Sequence, residues 1–136
     1  MMPAEMGTFR TTIELENPES PGRRVALHDV LVDTGAELSW IPAIALNSLG
    51  IYRRKTWHFR QADGTILERE TGFAIVYAAG TMTTDEVVFG SPGDLVLLGA
   101  RTLEGLNLRV EPTSKRLIDA GPAPAAVGVG SPSSRD

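Results

Sequence analysis

The 136-residue chain contains no cysteine, which excludes a disulfide framework, thiolate catalysis and every cysteine-based zinc site. Histidine is nearly as scarce: only His28 and His58 are present, and neither stands in a metal-binding spacing such as H-E-x-x-H. No glycine-rich phosphate loop ending in Gly-Lys-Ser/Thr occurs, and no serine sits in a G-x-S-x-G elbow. Basic clusters are missing as well. With 13 Lys and Arg against 17 Asp and Glu the net charge is −4, and no cluster exceeds the triplet Arg53-Arg54-Lys55, so the footprint of nucleic-acid binding is absent. No apolar run approaches the roughly 20 residues of a membrane span, and residues 1–7 lack the basic and apolar regions of a signal peptide. The expectation is a cytoplasmic chain with no metal, no cofactor, no membrane and no nucleic-acid partner.

What is present suits one domain. A hydrophobic content of 42% in 14.6 kDa is enough to build a core without metals or disulfides. Residues 8–15 alternate, with Phe9, Thr11, Ile13 and Leu15 on one face and Arg10, Thr12, Glu14 and Glu16 on the other, the period of a half-buried strand. Asn17-Pro18-Glu19-Ser20-Pro21-Gly22 is a turn by composition, and residues 24–32 return as a second strand to make a hairpin.

That second strand ends in Val30-Leu31-Val32-Asp33-Thr34-Gly35-Ala36, an acid placed directly after three branched apolar residues. A carboxylate at the end of a buried strand must be paired, hydrogen-bonded or protonated. In one account Asp33 caps its own turn by accepting backbone amides a residue or two ahead. In the other the strand delivers the carboxylate into a cleft, Thr34 locks the turn and Gly35 admits a peptide backbone.

Downstream, Pro42 followed by residues 43–49 and a stop at Gly50 predicts a short helix. Trp57 and Phe59 alternate with His58 and Arg60 toward Ala62-Asp63-Gly64-Thr65, where Asp-Gly signals a hairpin closed by a two-residue primed turn. The returning arm, residues 66–77, carries Glu68, Arg69 and Glu70 beside a polar tip, the pattern of a projecting lid. Residues 81–89 alternate again, and Leu95-Val96-Leu97-Leu98-Gly99-Ala100 echoes residues 30–36 as apolar strand, then Gly-Ala, then a polar helical start. Residues 106–110 and 116–118 predict a closing hairpin. From Ala120 to Asp136 Gly, Pro, Ala and Ser dominate, so a folded domain over 7–119 and a disordered tail over 120–136 are expected. Many short strands with regular turns indicate an all-β domain, closed or folded over on itself.

Val32-Asp33-Thr34-Gly35-Ala36 followed by Trp40-Ile41-Pro42, an Ala-Asp-Gly tip further on, and Leu97-Leu98-Gly99 opening a short helix resemble the retropepsin-like aspartic proteases. The likeness is greatest to small single-domain prokaryotic members, whose L-L-G-x-x-x-L-E-x-L-G-L-like segment corresponds to residues 97–108 with Asn107 in place of the second Gly. The resemblance implies a closed β-barrel with a flap hairpin and one or two short helices. It also implies one catalytic carboxylate per chain, Asp33, in a homodimer hydrolysing polypeptide. Thr34 and Gly35 would support the active-site loop, while Gly35, Ala36 and the flap tip Ala62, Asp63 and Gly64 would bind substrate. Glu37 matches the family's acid after D-T-G-A in charge, and the family's Arg after the helix-opening Gly is displaced here to Arg101. A Glu37 to Arg101 brace is therefore expected. Alternatives are a catalytically inactive dimer of the same fold acting as a peptide-binding or scaffolding module, and a small β-barrel binding domain with an incidental D-T-G turn.

Overall fold

In a computed structural model, which describes residues 9–128, the alternating segments become β1 (Phe9–Glu16), β2 (Arg24–Val32), β3 (Ser39–Pro42), β4 (Lys55–Arg60), β5 (Ile66–Ala78) and β6 (Thr81–Gly90). Helix α1 (Ala43–Ser48) follows β3, and β7 (Leu97–Leu98) leads into α2 (Ala100–Leu106), β8 (Leu108–Glu111) and β9 (Arg116–Asp119). Seven strands join in the order β1-β2-β7-β3-β6-β5-β4, and β1 also pairs with β5. Six strands thus run round a ring, and β4 hangs on β5 outside it. The chain is mostly β. Residues with no exposed surface from the six ring strands, Leu15, Val32, Ile41, Val76, Val87 and Leu98, fill the interior. Among the described residues no helix is long and apolar enough to cross a membrane.

Ring closure changes the fate of one residue assigned to the polar face. Residues Glu14 to Glu16 pair with β2 on one side and β5 on the other, so Glu16 is only 7% exposed. Its carboxylate accepts the Tyr77 hydroxyl and the Gly22 N–H, and Arg24 lies 3.6 Å over the Tyr77 ring. The Tyr77 and Gly22 hydrogen bonds hold the carboxyl below its ordinary range, against burial.

Local turn chemistry corrects several expectations. The β4–β5 hairpin closes through the three residues Ala62, Asp63 and Gly64, not a two-residue primed turn. The Gly64 N–H donates to Gln61 O, the Gln61 N–H donates to Thr65 O, and only Gly64 of the three has positive φ. A primed type I′ turn needs positive φ at both central residues, whereas this geometry is a type I turn followed by a left-handed residue. Asp63 accepts the Thr65 N–H at 3.0 Å and its hydroxyl at 2.7 Å, so its carboxylate shapes the tip, and the Thr65 hydrogen bonds hold it below the usual range.

Pro42 ends β3 and caps α1 instead of lying in its first turn. Gly50, at φ +73°, stops α1 as expected, with its N–H on Asn47 O and the Ile51 N–H on Leu46 O. Helix α2 runs through Leu106, which was expected to be strand, and ends at Asn107 in the left-handed conformation. Asparagine tolerates that conformation, so it can end the helix without a glycine.

Residues 120–128 carry no helix or strand, but the Ala120 N–H donates to Asn107 O and Asn107 Nδ2 donates to Gly121 O at 2.9 Å. The ordered hydrogen bonding therefore reaches two residues past the expected end at 119. The expected domain start, Gly7 and Thr8, and residues 129–136 of the expected tail lie outside the described residues.

Candidate active site

The two echoing segments lie side by side. β2 and β7 pair in parallel, with Val32 opposite Leu98, and the Asp33 N–H donates to Leu98 O at 3.0 Å. Val32 and Leu98 are both fully buried, so the acid leaves the core on a strand that cannot shift without opening it. The echo diverges afterwards: the second copy enters α2 directly, while residues 33–38 form an irregular loop into β3.

Asp33 itself is partly buried, and Thr34 and Gly35 are exposed. The Gly35 N–H donates to Asp33 Oδ1 at 2.9 Å, and the Ala36 N–H donates to Asp33 O at 3.2 Å. The turn-capping account is therefore realised, but it uses only one oxygen. Among the described residues the Asp33 Oδ2 atom and the Thr34 hydroxyl have no hydrogen-bond partner.

Helix α2 packs against this loop through its own start. Gly99 permits close approach, and the Ala100 and Arg101 amides donate to Ala36 O at 2.8 Å and Glu37 O at 3.0 Å. These are two of the orphan amides at a helix N-terminus, here satisfied by the loop. Beneath them lies a buried polar chain. The Gly99 N–H donates to Ser39 Oγ at 2.9 Å, Ser39 and Thr102 hydroxyls meet at 2.6 Å, and Thr102 Oγ1 donates to Asp85 Oδ2 at 2.9 Å. Sequence reasoning missed this chain, since Ser39 and Thr102 are 63 residues apart and carry no motif.

The expected brace is formed. Arg101 Nε and Nη2 reach Glu37 Oε2 at 3.0 and 2.8 Å. Both side chains remain substantially exposed, at 41% and 62%, so a double-mutant cycle with Glu37→Gln and Arg101→Gln should give a coupling of about 0.5 kcal/mol in urea denaturation. Strictly additive effects would show that the pair contributes geometry without energy.

A cavity of about 490 Å³ lies between the loop and the hairpin, lined by Gly35, Ala36, Glu37, Leu38 and Trp40 on one side and by residues 57–61 and Leu67 on the other. Trp40 and Phe59 rings stand 4.9 Å apart, and Phe59 and Trp57 stack at 5.8 Å. Of the residues expected to bind substrate, Gly35 and Ala36 line this cavity. Ala62, Asp63 and Gly64 are exposed at the hairpin tip and do not. The cavity wall on the hairpin side includes Trp57 and Phe59 of β4, and their alternation was the signal that could have found them.

The hairpin is not free along its returning arm. Arg69 Nε and Nη2 reach Asp94 Oδ2 and Oδ1 at 2.8 and 3.0 Å, tying β5 to the 91–94 turn, where the Ser91 N–H also donates to Asp94. The Arg69 hydrogen bonds hold the Asp94 carboxyl below its ordinary range in spite of burial. With the folded value depressed, the pair's stabilisation is complete above the ordinary Asp pKa and lost as pH falls through the folded one. The stability gap between wild type and Asp94→Asn should therefore shrink on acidification through that range, and a gap independent of pH in urea titrations would contradict it.

Among the described residues no group of three or more His, Asp or Glu is arranged to hold a metal ion. In comparisons with known proteins, the chain matches no family model and no curated sequence.

Proposed function

We propose that the chain is a retropepsin-like aspartic endopeptidase that works as a symmetric homodimer on polypeptide substrates, with one Asp33 from each copy forming the catalytic pair. The observation that carries this reading is the state of Asp33. It is anchored at its backbone to Leu98, fixed at Oδ1 by Gly35, left with Oδ2 unpartnered, and set on a loop beside a hairpin-covered cavity. The ring of strands would be the family's closed barrel and the β4–β5 hairpin its flap.

Two facing carboxylates share one proton, because neighbouring like charges oppose double ionisation. The ionised Asp33 takes a proton from water as the water attacks the scissile carbonyl, and the protonated Asp33 of the other copy donates to the carbonyl oxygen. The resulting diol then breaks its C–N bond as the proton taken from water passes to the amine nitrogen and the other Asp33 takes back a hydroxyl proton. The dyad is restored and no covalent bond to the enzyme forms. The unpartnered Thr34 hydroxyl suits a bond across the dimer axis, and Gly35 leaves room for an extended substrate backbone. The tip residues Ala62, Asp63 and Gly64 would close over substrate, and β8 and β9, which pair only with each other among the described residues, are available for the dimer sheet.

The test is dilution. Hydrolysis of a quenched peptide library, expressed per chain, should fall as the protein is diluted through its dimer dissociation range. Activity per chain that stays constant down to demonstrably monomeric concentration would exclude a shared site. One observation favours a second reading: the aromatic cavity does not include Asp33 in its lining, so a dimer could hold peptide there without turnover. Dimerisation and peptide binding with no cleavage at any pH from acidic to neutral would select that reading.

A further inference from the structure

Glu86 sits in the middle of β6, before the buried run Val87-Val88-Phe89, and is only 7% exposed. A carboxylate in that position requires donors, and it has them from β4 and β5. Thr71 Oγ1 and Trp57 Nε1 donate to Oε2 at 2.6 and 2.7 Å, and Lys55 Nζ lies 3.4 Å from both oxygens. Arg101 Nη1 stands 4.0 Å from Oε1. Burial raises the Glu86 pKa, but the hydrogen bonds from Thr71, Trp57 and Lys55 more than offset this, so the group stays ionised.

Those partners have a common geometry. Lys55 and Trp57 lie on β4, the strand that pairs only with β5 among the described residues. Thr71 marks the point where the hairpin leaves the ring, since it pairs with both Lys55 and Val88. Arg101 opens α2 and holds Glu37 in the loop that carries Asp33. Its guanidinium also lies 5.6 Å over the Trp57 ring. β5 is tied to the 91–94 turn through Arg69, but the backbone ladder fixes β4 along one edge only, and beyond the packing of Phe59 on Trp40 its placement depends on side-chain anchors. Trp57 is such an anchor, because the indole is gripped from the ring side.

We propose that Glu86 is a positioning residue that couples the placement of the β4–β5 hairpin over the cavity to the conformation of the Asp33 loop, through Trp57 on one side and Arg101 with Glu37 on the other. Its bearing on catalysis rests on the endopeptidase reading; the mechanical coupling does not. Binding or closure at the hairpin would then be felt at residues 34–38, and disorder of the loop would be felt at the hairpin.

Hydrogen exchange resolved by segment tests this directly. Trp57→Phe keeps an aromatic ring but removes the donor to Glu86. It should speed exchange about tenfold or more in residues 55–60 and also in residues 34–38, the effect of one lost hydrogen bond to a charge, while residues 10–15 in the ring stay unchanged. In a Glu86→Gln background the carboxylate no longer links the hairpin to Arg101, and adding Trp57→Phe should change the loop segment less than twofold. Loop exchange within about twofold of wild type in Trp57→Phe alone would overturn the proposal, whether or not the hairpin loosens. If Glu86→Gln does not fold, that single variant still decides. Peptide hydrolysis measured on the same proteins separates the two readings: a wild type that cleaves nothing removes the endopeptidase reading and leaves the exchange result standing.

Discussion

Asp33→Asn should lower peptide hydrolysis by about a hundred- to ten-thousand-fold, the range that a positioned acid or base contributes. The substitution keeps shape, and the Asn side-chain oxygen still accepts the Gly35 N–H that Oδ1 accepts now. The fold should therefore survive, and on the endopeptidase reading so should the proposed dimer, with the loss appearing in turnover more than in substrate binding. A neutral amide neither takes a proton from water nor supplies one to a carbonyl, and in a symmetric dimer both copies lose the function together. Initial rates on a quenched peptide, together with sedimentation and thermal melting, provide the check. Unchanged hydrolysis in a folded dimeric variant would remove Asp33 from the mechanism.

The part of this arrangement that is local in sequence was legible there. Period-two alternation marked β1, β4 and β6, and Gly50 marked the end of α1, because strand period and a left-handed cap are written within a few residues. The echo of residues 30–36 in residues 95–100 also had a physical meaning, the parallel pairing of Val32 with Leu98. What failed depended on long-range closure or on choices between similar turns. Glu16 alternates as a surface residue and is buried only because β5 closes the ring over it. Asp63-Gly64 fits two turn types, and the flanking Gln61 and Thr65 hydrogen bonds select between them.

The candidate site divides in the same way. Asp33, Thr34 and Gly35 could be named from one contiguous stretch, and Glu37 with Arg101 from motif order. The cavity wall supplied by Trp57 and Phe59 needed the hairpin's fold over Trp40, and the Ser39, Thr102 and Asp85 chain needed three separate strands and helices to meet. Glu86 is the sharpest case. An acid before Val87-Val88-Phe89 on an alternating strand reads as solvent-facing, and only the arrival of Lys55, Trp57, Thr71 and Arg101 makes its burial tolerable.

Gly99→Ala should destabilise the protein by about 3 kcal/mol, at the upper end of ordinary overpacking, and disable the site with it. The backbone at Gly99 is extended, at φ −97° and ψ −179°, so alanine meets no conformational objection. Space is the obstacle. A Cβ there would lie 2.6 Å from Leu38 O, 2.7 Å from Leu38 C and 2.9 Å from Ala36 O. These are backbone atoms of the Asp33 loop, not the ends of flexible side chains, so relief requires the loop or the helix to move. Moving either lengthens the Ala100 and Arg101 amide bonds to Ala36 and Glu37 and pulls the Gly99 amide from Ser39. It also draws Arg101 away from Glu37. Urea denaturation should show a lower midpoint with an unchanged slope, since the exposed area on unfolding is the same. Peptide hydrolysis should fall even at denaturant-free temperatures where the variant is folded, because the loop holding Asp33 is displaced. A midpoint equal to wild type would mean that the loop has slack at Leu38, and the tight packing of α2 against the Asp33 turn would then not be what holds the carboxylate in place.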